Sequence, residues 1–198
     1  MSRLSLIALF CLGLVLPAFA AEKEHLRIEI NGPLPPAKAE EVYNKIKGEM
    51  ADGYAPAQDA VIKAYSRWQC FNIAPYLSDT HGNRYADNFA NARAARAGYG
   101  DLRPGRRMPP GAVVVKDTFT VTKDGEVYPA AVFYMEKLAP GRNPATGDWR
   151  FVQLLPDGSY IGDTTGDNPE DVAFCYTCHK AMAEVDNLFF LPEAYRGK

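Results

Sequence analysis

The 198-residue sequence has no surplus of basic charge: 22 lysines and arginines stand against 24 acids, for a formal net charge of −2. That removes the electrostatic footprint of a nucleic-acid-binding protein. There is no internal repeat, no low-complexity tract and no linker-like stretch to divide the chain. With 47% hydrophobic and 23% charged residues, it lacks the composition of a disordered or collagen-like chain. It also lacks an apolar run of ordinary bilayer-spanning length. The longest one, Leu4 to Leu16, follows the basic Arg3 and precedes the small-x-small sequence Ala18-Phe19-Ala20. This is the pattern of a secretory signal removed after Ala20. A retained anchor is the alternative, opposed by the shortness of the run and by the charged Glu22-Lys23-Glu24 that follows. Cys11 does not suit lipid attachment, because Phe10 stands where a lipoprotein signal needs a small residue. The expectation is a signal over residues 1–20 and one exported, periplasmic domain over residues 21–198, with no stable membrane span.

Cysteine is scarce too, and the three that survive cleavage, Cys70, Cys175 and Cys178, are an odd number for an oxidising compartment. Two of them lie in Cys175-Tyr176-Thr177-Cys178-His179, the attachment motif of a c-type haem. Residues i, i+3 and i+4 share a helix face, so both thiols and the imidazole can be presented together, the thiols to haem vinyl groups and His179 to the iron. Asn168 as N-cap, Pro169 at the first helical position and the acidic Glu170 and Asp171 predict a helix from about Pro169 to Glu184. Two alternatives stay open: a disulfide or redox dithiol, and a zinc site of Cys70, Cys175, Cys178 and His179. Export and the complete five-residue motif together are what haem attachment requires.

An electron carrier fills the second face of its iron, whereas a gas-binding or catalytic haem leaves it open. Met182 follows His179 on the same helix and belongs to the proximal side, so the distal side must come from upstream residues. Helices are expected from about Pro36 to Met50, from Ala55 to Trp68 on the stripe Val61, Ala64, Tyr65 and Trp68, and from Asp87 as N-cap to Ala97. Strands follow over Ala112 to Thr122, Val127 to Leu138 and Trp149 to Leu155, with Tyr160-Ile161 returning after a turn. The expected fold is α+β, an antiparallel β-meander sheet packed with several helices, the haem-bearing helix near the C-terminus.

The run Met108-Pro109-Pro110-Gly111-Ala112-Val113-Val114-Val115-Lys116-Asp117, then Phe133-Tyr134-Met135-Glu136-Lys137, Gly147-Asp148-Trp149-Arg150-Phe151, Leu155-Pro156-Asp157-Gly158, the haem motif and Phe189-Phe190-Leu191-Pro192 together resemble the cytochrome P-460 family. The resemblance runs from His81 to Arg196 and covers little of residues 21–80. It implies a c-type cytochrome with one covalent haem c per chain, often a homodimer, with His179 as proximal ligand and a five-coordinate iron. Members of the P-460 type oxidise hydroxylamine and bond a lysine to the porphyrin. Relatives of the cytochrome c′-beta type lack that bond and bind nitric oxide.

Lys116 stands where the family's cross-linking lysine stands. Strand alternation puts Val113, Val115, Phe119 and Val121 on one face and Val114, Lys116, Thr118 and Thr120 on the other, which equally suits an uncrosslinked haem-side lysine or a solvent-facing one. His81-Gly82-Asn83-Arg84-Tyr85 resembles the segment that gives the family a distal arginine. Arg84 is thus a candidate to hydrogen-bond the oxygen of nitric oxide or hydroxylamine, or to hold a propionate, and His81 to bind iron or relay a proton. Phe119, Phe133 and Tyr134 are candidates to cap the haem face, with core packing as the ordinary alternative. Cys70 reads as a buried small hydrophobe. Six arginines between Arg84 and Arg107, against Asp87 and Asp101, could steer a redox partner cytochrome or simply be solvated. Three functions remain: hydroxylamine oxidation, nitric oxide binding, and electron transfer with a sixth ligand such as His81, Met108 or Met135.

Overall fold

Runs of Val, Thr and aromatic residues favour extended chain, and among the described residues they form eight strands. These are β1 (Gln69–Cys70), β2 (Tyr76–Ser78), β3 (Arg84–Ala90), β4 (Val113–Val121), β5 (Val127–Pro129), β6 (Val132–Lys137), β7 (Trp149–Leu154) and β8 (Tyr160–Asp163). The computed structural model describes residues 24–189 and 191–197. The expected signal over residues 1–20 and Phe190 of the terminal motif lie outside the described residues. The strands make one antiparallel sheet in the order β1-β3-β4-β6-β7-β8, with β2 also on β3 and β5 also on β4. Helices α1 (Pro36–Tyr54), α2 (Ala92–Arg96) and α3 (Ala173–His179) complete an α+β fold. No helix among the described residues is long and apolar enough to cross a membrane.

α1 starts at Pro36, where a missing N–H costs nothing, and buries Ala39, Val42, Ile46, Met50 and Tyr54 along one stripe. That stripe joins Val113, Val115, Phe119, Val132, Tyr134, Val152 and Leu154 in a core on one face of the sheet. Ala90, Val114, Met135, Trp149 and Phe151 build a second core on the opposite face, together with Ala94 of α2, Tyr99, Met108 and Leu188.

Four expected elements differ, three helices and one strand. Ala55 to Trp68 is not one helix but 3-10 turns at Ala55–Ala57 and Tyr65–Arg67 around an intervening turn. Gln58 is left-handed at φ 55°, and the Asp59 carboxylate accepts from Val61 N at 2.7 Å and Ile62 N at 3.1 Å, starting a new turn. The apolar stripe still reaches the core. Asp87 does not cap a helix: it lies inside β3, and Asn91 is the cap of α2, accepting from Ala94 N. The C-terminal helix is broken into a 3-10 turn Pro169–Val172, α3, and a 3-10 stretch Lys180–Val185; Asn168 is left-handed at φ 49° and makes no side-chain cap.

The expected strand Val127 to Leu138 also divides. β5 pairs Phe119 with Pro129, whereas β6 pairs Lys116 with Phe133. One extra residue is therefore absorbed around Ala130 and Ala131, where Thr118 Oγ1 donates to the Ala131 carbonyl at 2.5 Å. A one-residue slip exchanges the faces of a strand. This bulge sends Phe133 to the second face and Tyr134 to the α1 face.

On the α1 face, Asp117 is buried and accepts from the hydroxyls of Tyr65 at 2.9 Å, Tyr43 at 3.1 Å and Tyr54 at 3.2 Å. Burial pushes its carboxyl up from 3.8 to about 6, against the lowering effect of those hydrogen bonds. A carboxyl raised in the fold stabilises it fully below the unfolded value, and the contribution is lost as pH rises through about 6. Asp117→Asn, neutral throughout, is expected to gain on the wild type by on the order of 1–3 kcal/mol between pH 4 and 7 in urea denaturation. A difference independent of pH would contradict this account.

Candidate functional site

The second face of the sheet carries two rows of side chains. Register pairs place Asn88, Lys116, Phe133 and Gln153 side by side across β3, β4, β6 and β7. Two residues along, Ala90, Val114, Met135 and Phe151 form a second row. Over both lies a cavity of about 290 Å³, closed by α3 and its continuation: Phe174, Cys175, Cys178, His179, Leu188 and Phe189.

α3 presents Cys175, Cys178 and His179 to this cavity, as the i, i+3, i+4 spacing requires. Both cysteines are free thiols. The His179 ring stands edge-on to Phe151 at 5.3 Å and to Phe189 at 5.1 Å. Its Nδ1 lies 2.7 Å from the Asn187 carbonyl oxygen, an acceptor only, so the ring proton sits on Nδ1 and Nε2 keeps a free lone pair. Burial holds the imidazole below its usual 6.5, hence neutral.

The Asn187 carbonyl is held in place by an unusual turn. Asp186 and Asn187 are both left-handed, at φ 60° and 61°, a conformation that Asp and Asn tolerate better than most residues. Asp186 forms a buried ion pair with Lys137 at 2.6 Å and accepts from Met108 N at 2.7 Å, while its carbonyl accepts from Trp149 Nε1 at 2.8 Å. The Asn187 amide donates to the Thr146 carbonyl at 3.1 Å. Next to it Gly147 has φ 67°, and a Cβ there would come within 2.5 Å of that amide, so the position requires glycine.

The Lys116 row carries the polar groups. Lys116 Nζ donates to Tyr76 Oη at 2.9 Å and lies 3.5 Å from His81 Nδ1. Tyr76 in turn donates to Asn88 Oδ1 at 3.0 Å, which fixes its oxygen as the acceptor for Lys116. His81 ends a 3-10 turn, Asp79–His81, with Nδ1 2.9 Å from Ser78 Oγ. Its ring stands edge-on to Phe133 at 5.2 Å, and the Arg84 guanidinium lies 6.0 Å from the centre of the same ring.

Every named candidate from the haem motif and the distal set therefore lines one cavity: Cys175, Cys178, His179, Lys116, Arg84, His81 and Phe133. Lys116 is half-buried there, not a solvent-facing lysine. Of the other two aromatic caps, Phe119 is not in the cavity wall, and Tyr134 borders the cavity while its hydroxyl points to the α1 side. Phe119 is fully buried in the α1 core, stacked on Tyr85, and the Tyr134 hydroxyl donates to Asp59 on that same side. Cys70 is exposed, not buried, because β1 is the edge strand. It stands apart from the motif, and among the described residues no three His, Cys, Asp or Glu side chains come together to hold a metal ion. The zinc alternative thus lacks its third thiol. Met108 packs in the second core outside the cavity, and Met135 sits in the Phe151 row; of the three sixth-ligand candidates only His81 stands beside Lys116.

A protein-family model described as Cytochrome P460 matches residues 62–190. The chain belongs to the cytochrome P460 family. The match takes in the whole cavity wall and reaches upstream of His81, where the motifs alone covered little of the chain. Membership makes the chain a haem-binding cytochrome. A search of curated proteins returned no match. Sequence reasoning missed Asn187, Tyr76 and Gln153; an Asp-Asn pair shortly after the motif and a lone polar residue at the inward position of β7 were the available signals.

Breaking the Asp186–Lys137 pair leaves a buried cation without its partner and Met108 N without its acceptor. Asp186→Ala is expected to lose about 3–5 kcal/mol in guanidinium unfolding. A loss below about 1 kcal/mol would show that the turn beneath His179 is held by something else.

Proposed function

We propose that the cavity holds one covalent haem c per chain, that Cys175 and Cys178 would carry its thioethers and His179 Nε2 would ligate its iron, and that the protein oxidises hydroxylamine. The observation that carries the ligation is the hydrogen bond between His179 Nδ1 and the Asn187 carbonyl, the usual companion of a histidine that gives its other nitrogen to a metal. The free thiols, the apolar Phe151 row and the neutral imidazole all fit a porphyrin. Export through the residue 1–20 signal belongs to the same proposal, as does a partner cytochrome that receives the electrons.

When bound, the haem supplies an iron that accepts electrons from a small nitrogen species. The chain's own residues hold and orient that species. Burial pulls the Lys116 ammonium from 10.5 to about 8, so close to pH 8 about half the population is a neutral amine. The neutral amine is the nucleophilic form, and Lys116 takes the role of the family's porphyrin-bonded lysine. His81 is driven down to about 3, first by burial and then by Lys116, His179 and Arg84. It stays uncharged at neutral pH and offers hydrogen bonds without adding a second cation beside Lys116. Arg84, always charged, is placed to donate to a substrate oxygen or a propionate.

One observation favours a second reading, nitric oxide binding in the cytochrome c′-beta manner. The Phe133 ring, on the Lys116 row, lies against both His81 and Arg84, and its apolar bulk there limits a ligand to very small size.

Hydroxylamine turnover by the haem-loaded wild type and by Lys116→Leu separates the two. The oxidation reading expects a fall of about 100-fold or more in the variant, with the thioether-bound haem retained. Turnover and spectrum both unchanged would remove Lys116 from the reaction, and a wild type that binds nitric oxide without turning over hydroxylamine would move the assignment to the second reading.

A further inference from the structure

One buried polar group in the cavity has no task in the arrangement above. Gln153 lies on β7, at the end of the row that begins with Asn88 and runs through Lys116 and Phe133. The residue is 7% exposed, and its side chain lines the cavity. Its Oε1 is buried and has no hydrogen-bond partner among the described residues. Buried side-chain oxygens are nearly always paired, and an unpaired one carries the full cost of its lost hydration. Neighbours along the row cannot supply a donor: Phe133 on one side is apolar, and Gly162, across on β8, has no side chain. The polar groups at the other end are already engaged. Lys116 donates to Tyr76, and the Asn88 amide donates to Tyr99 at 3.0 Å and accepts from Tyr76.

A buried, unpaired amide oxygen on a residue that lines a small cavity is satisfied by an N–H or O–H from whatever enters. Hydroxylamine carries two N–H bonds and one O–H bond; nitric oxide carries none. We propose that Gln153 is the acceptor subsite of this cavity, holding a donor-bearing nitrogen ligand such as hydroxylamine and discriminating against nitric oxide. The inference rests on the reading of the cavity as the site for small nitrogen species and deepens it. A site built to receive a hydrogen bond penalises the analogue that lacks the donor, because the buried acceptor then stays unpaired. Two sides of the cavity thus divide the ligand between them: donors from Arg84 and Lys116 meet its oxygen, and the Gln153 oxygen meets its hydrogens. Lys116 and Gln153 are two strands apart, on the order of 10 Å between backbones, and both residues line the one cavity.

The test uses the haem-loaded protein without an electron acceptor. Soret shifts are titrated with hydroxylamine and, separately, with nitric oxide, for the wild type, Gln153→Met and Gln153→Glu. Met keeps the length and removes the acceptor; Glu keeps an acceptor. Gln153→Met is expected to weaken hydroxylamine binding about tenfold or more and to change nitric oxide binding by less than about threefold. Gln153→Glu is expected to hold hydroxylamine to within about threefold of the wild type. Thermal unfolding of Gln153→Met should occur at or above the wild-type temperature, since its Oε1 makes no hydrogen bond to lose. Equal hydroxylamine affinity in wild type and Gln153→Met would overturn the inference alone. So would equal weakening of both ligands, or a change confined to the ligand-free spectrum, which would assign Gln153 to the porphyrin's carboxylates. A wild type that binds nitric oxide and not hydroxylamine would overturn the proposed oxidation and this inference together.

Discussion

Adjacent residues of a strand point to opposite faces of a sheet, and in this fold both faces are covered, so each residue of β4 is committed to one of two interiors. Val113, Val115, Asp117 and Phe119 turn to α1; Val114 and Lys116 turn to the cavity. The bulge at Ala130 and Ala131 then sets β6 to the same frame, so that Phe133 and Met135 share the cavity with Lys116 while Tyr134 joins the α1 core. A one-residue change in that register would remove Phe133 from the site and bury it against α1.

The cavity inherits its chemistry from this geometry. Its two rows differ in character. One, ending in Phe151, is apolar and packs the His179 ring edge-on; the other carries Asn88, Lys116 and Gln153 around Phe133. α3 contributes the thiols and the imidazole, but the imidazole is oriented from outside its helix, by a carbonyl in a left-handed turn tied to β6 and β7 through Lys137 and Trp149. The tie has a physical purpose. A histidine whose tautomer is set by a rigid carbonyl presents the same nitrogen at all times, whereas a freely rotating ring would not.

Much of this was legible in the sequence where the relevant contacts are local. Cys175, Cys178 and His179 share a face because of helix periodicity, and Lys116 faces away from Val115 because of strand alternation. The α+β class followed from the change of texture after Pro109-Pro110-Gly111. Errors arose where a local pattern survives a change of structure. Val61, Tyr65 and Trp68 of the stripe reach the core from a turn and a 3-10 turn much as they would from a helix, so periodicity could not separate the two. Asp87 looked like a helix cap because its side chain is polar; in the fold that carboxylate is buried within β3, where Asn72 donates to it at 2.5 Å. The partners of the site, Asn187 to His179 and Tyr76 to Lys116, lie 8 and 40 residues apart along the chain. The second pairing exists only because β2 lies against β3, a neighbourhood that no short-range pattern encodes.

Everything in the functional account rests on α3 as the attachment point of a covalent porphyrin. The most direct test is the intact mass, under denaturing conditions, of the protein matured with a c-haem assembly system. The account predicts the mature chain plus one haem, a mass that persists through denaturation because two thioethers hold it. A chain that releases its haem, or carries none, would contradict the assignment of Cys175 and Cys178 and with it the function built on His179.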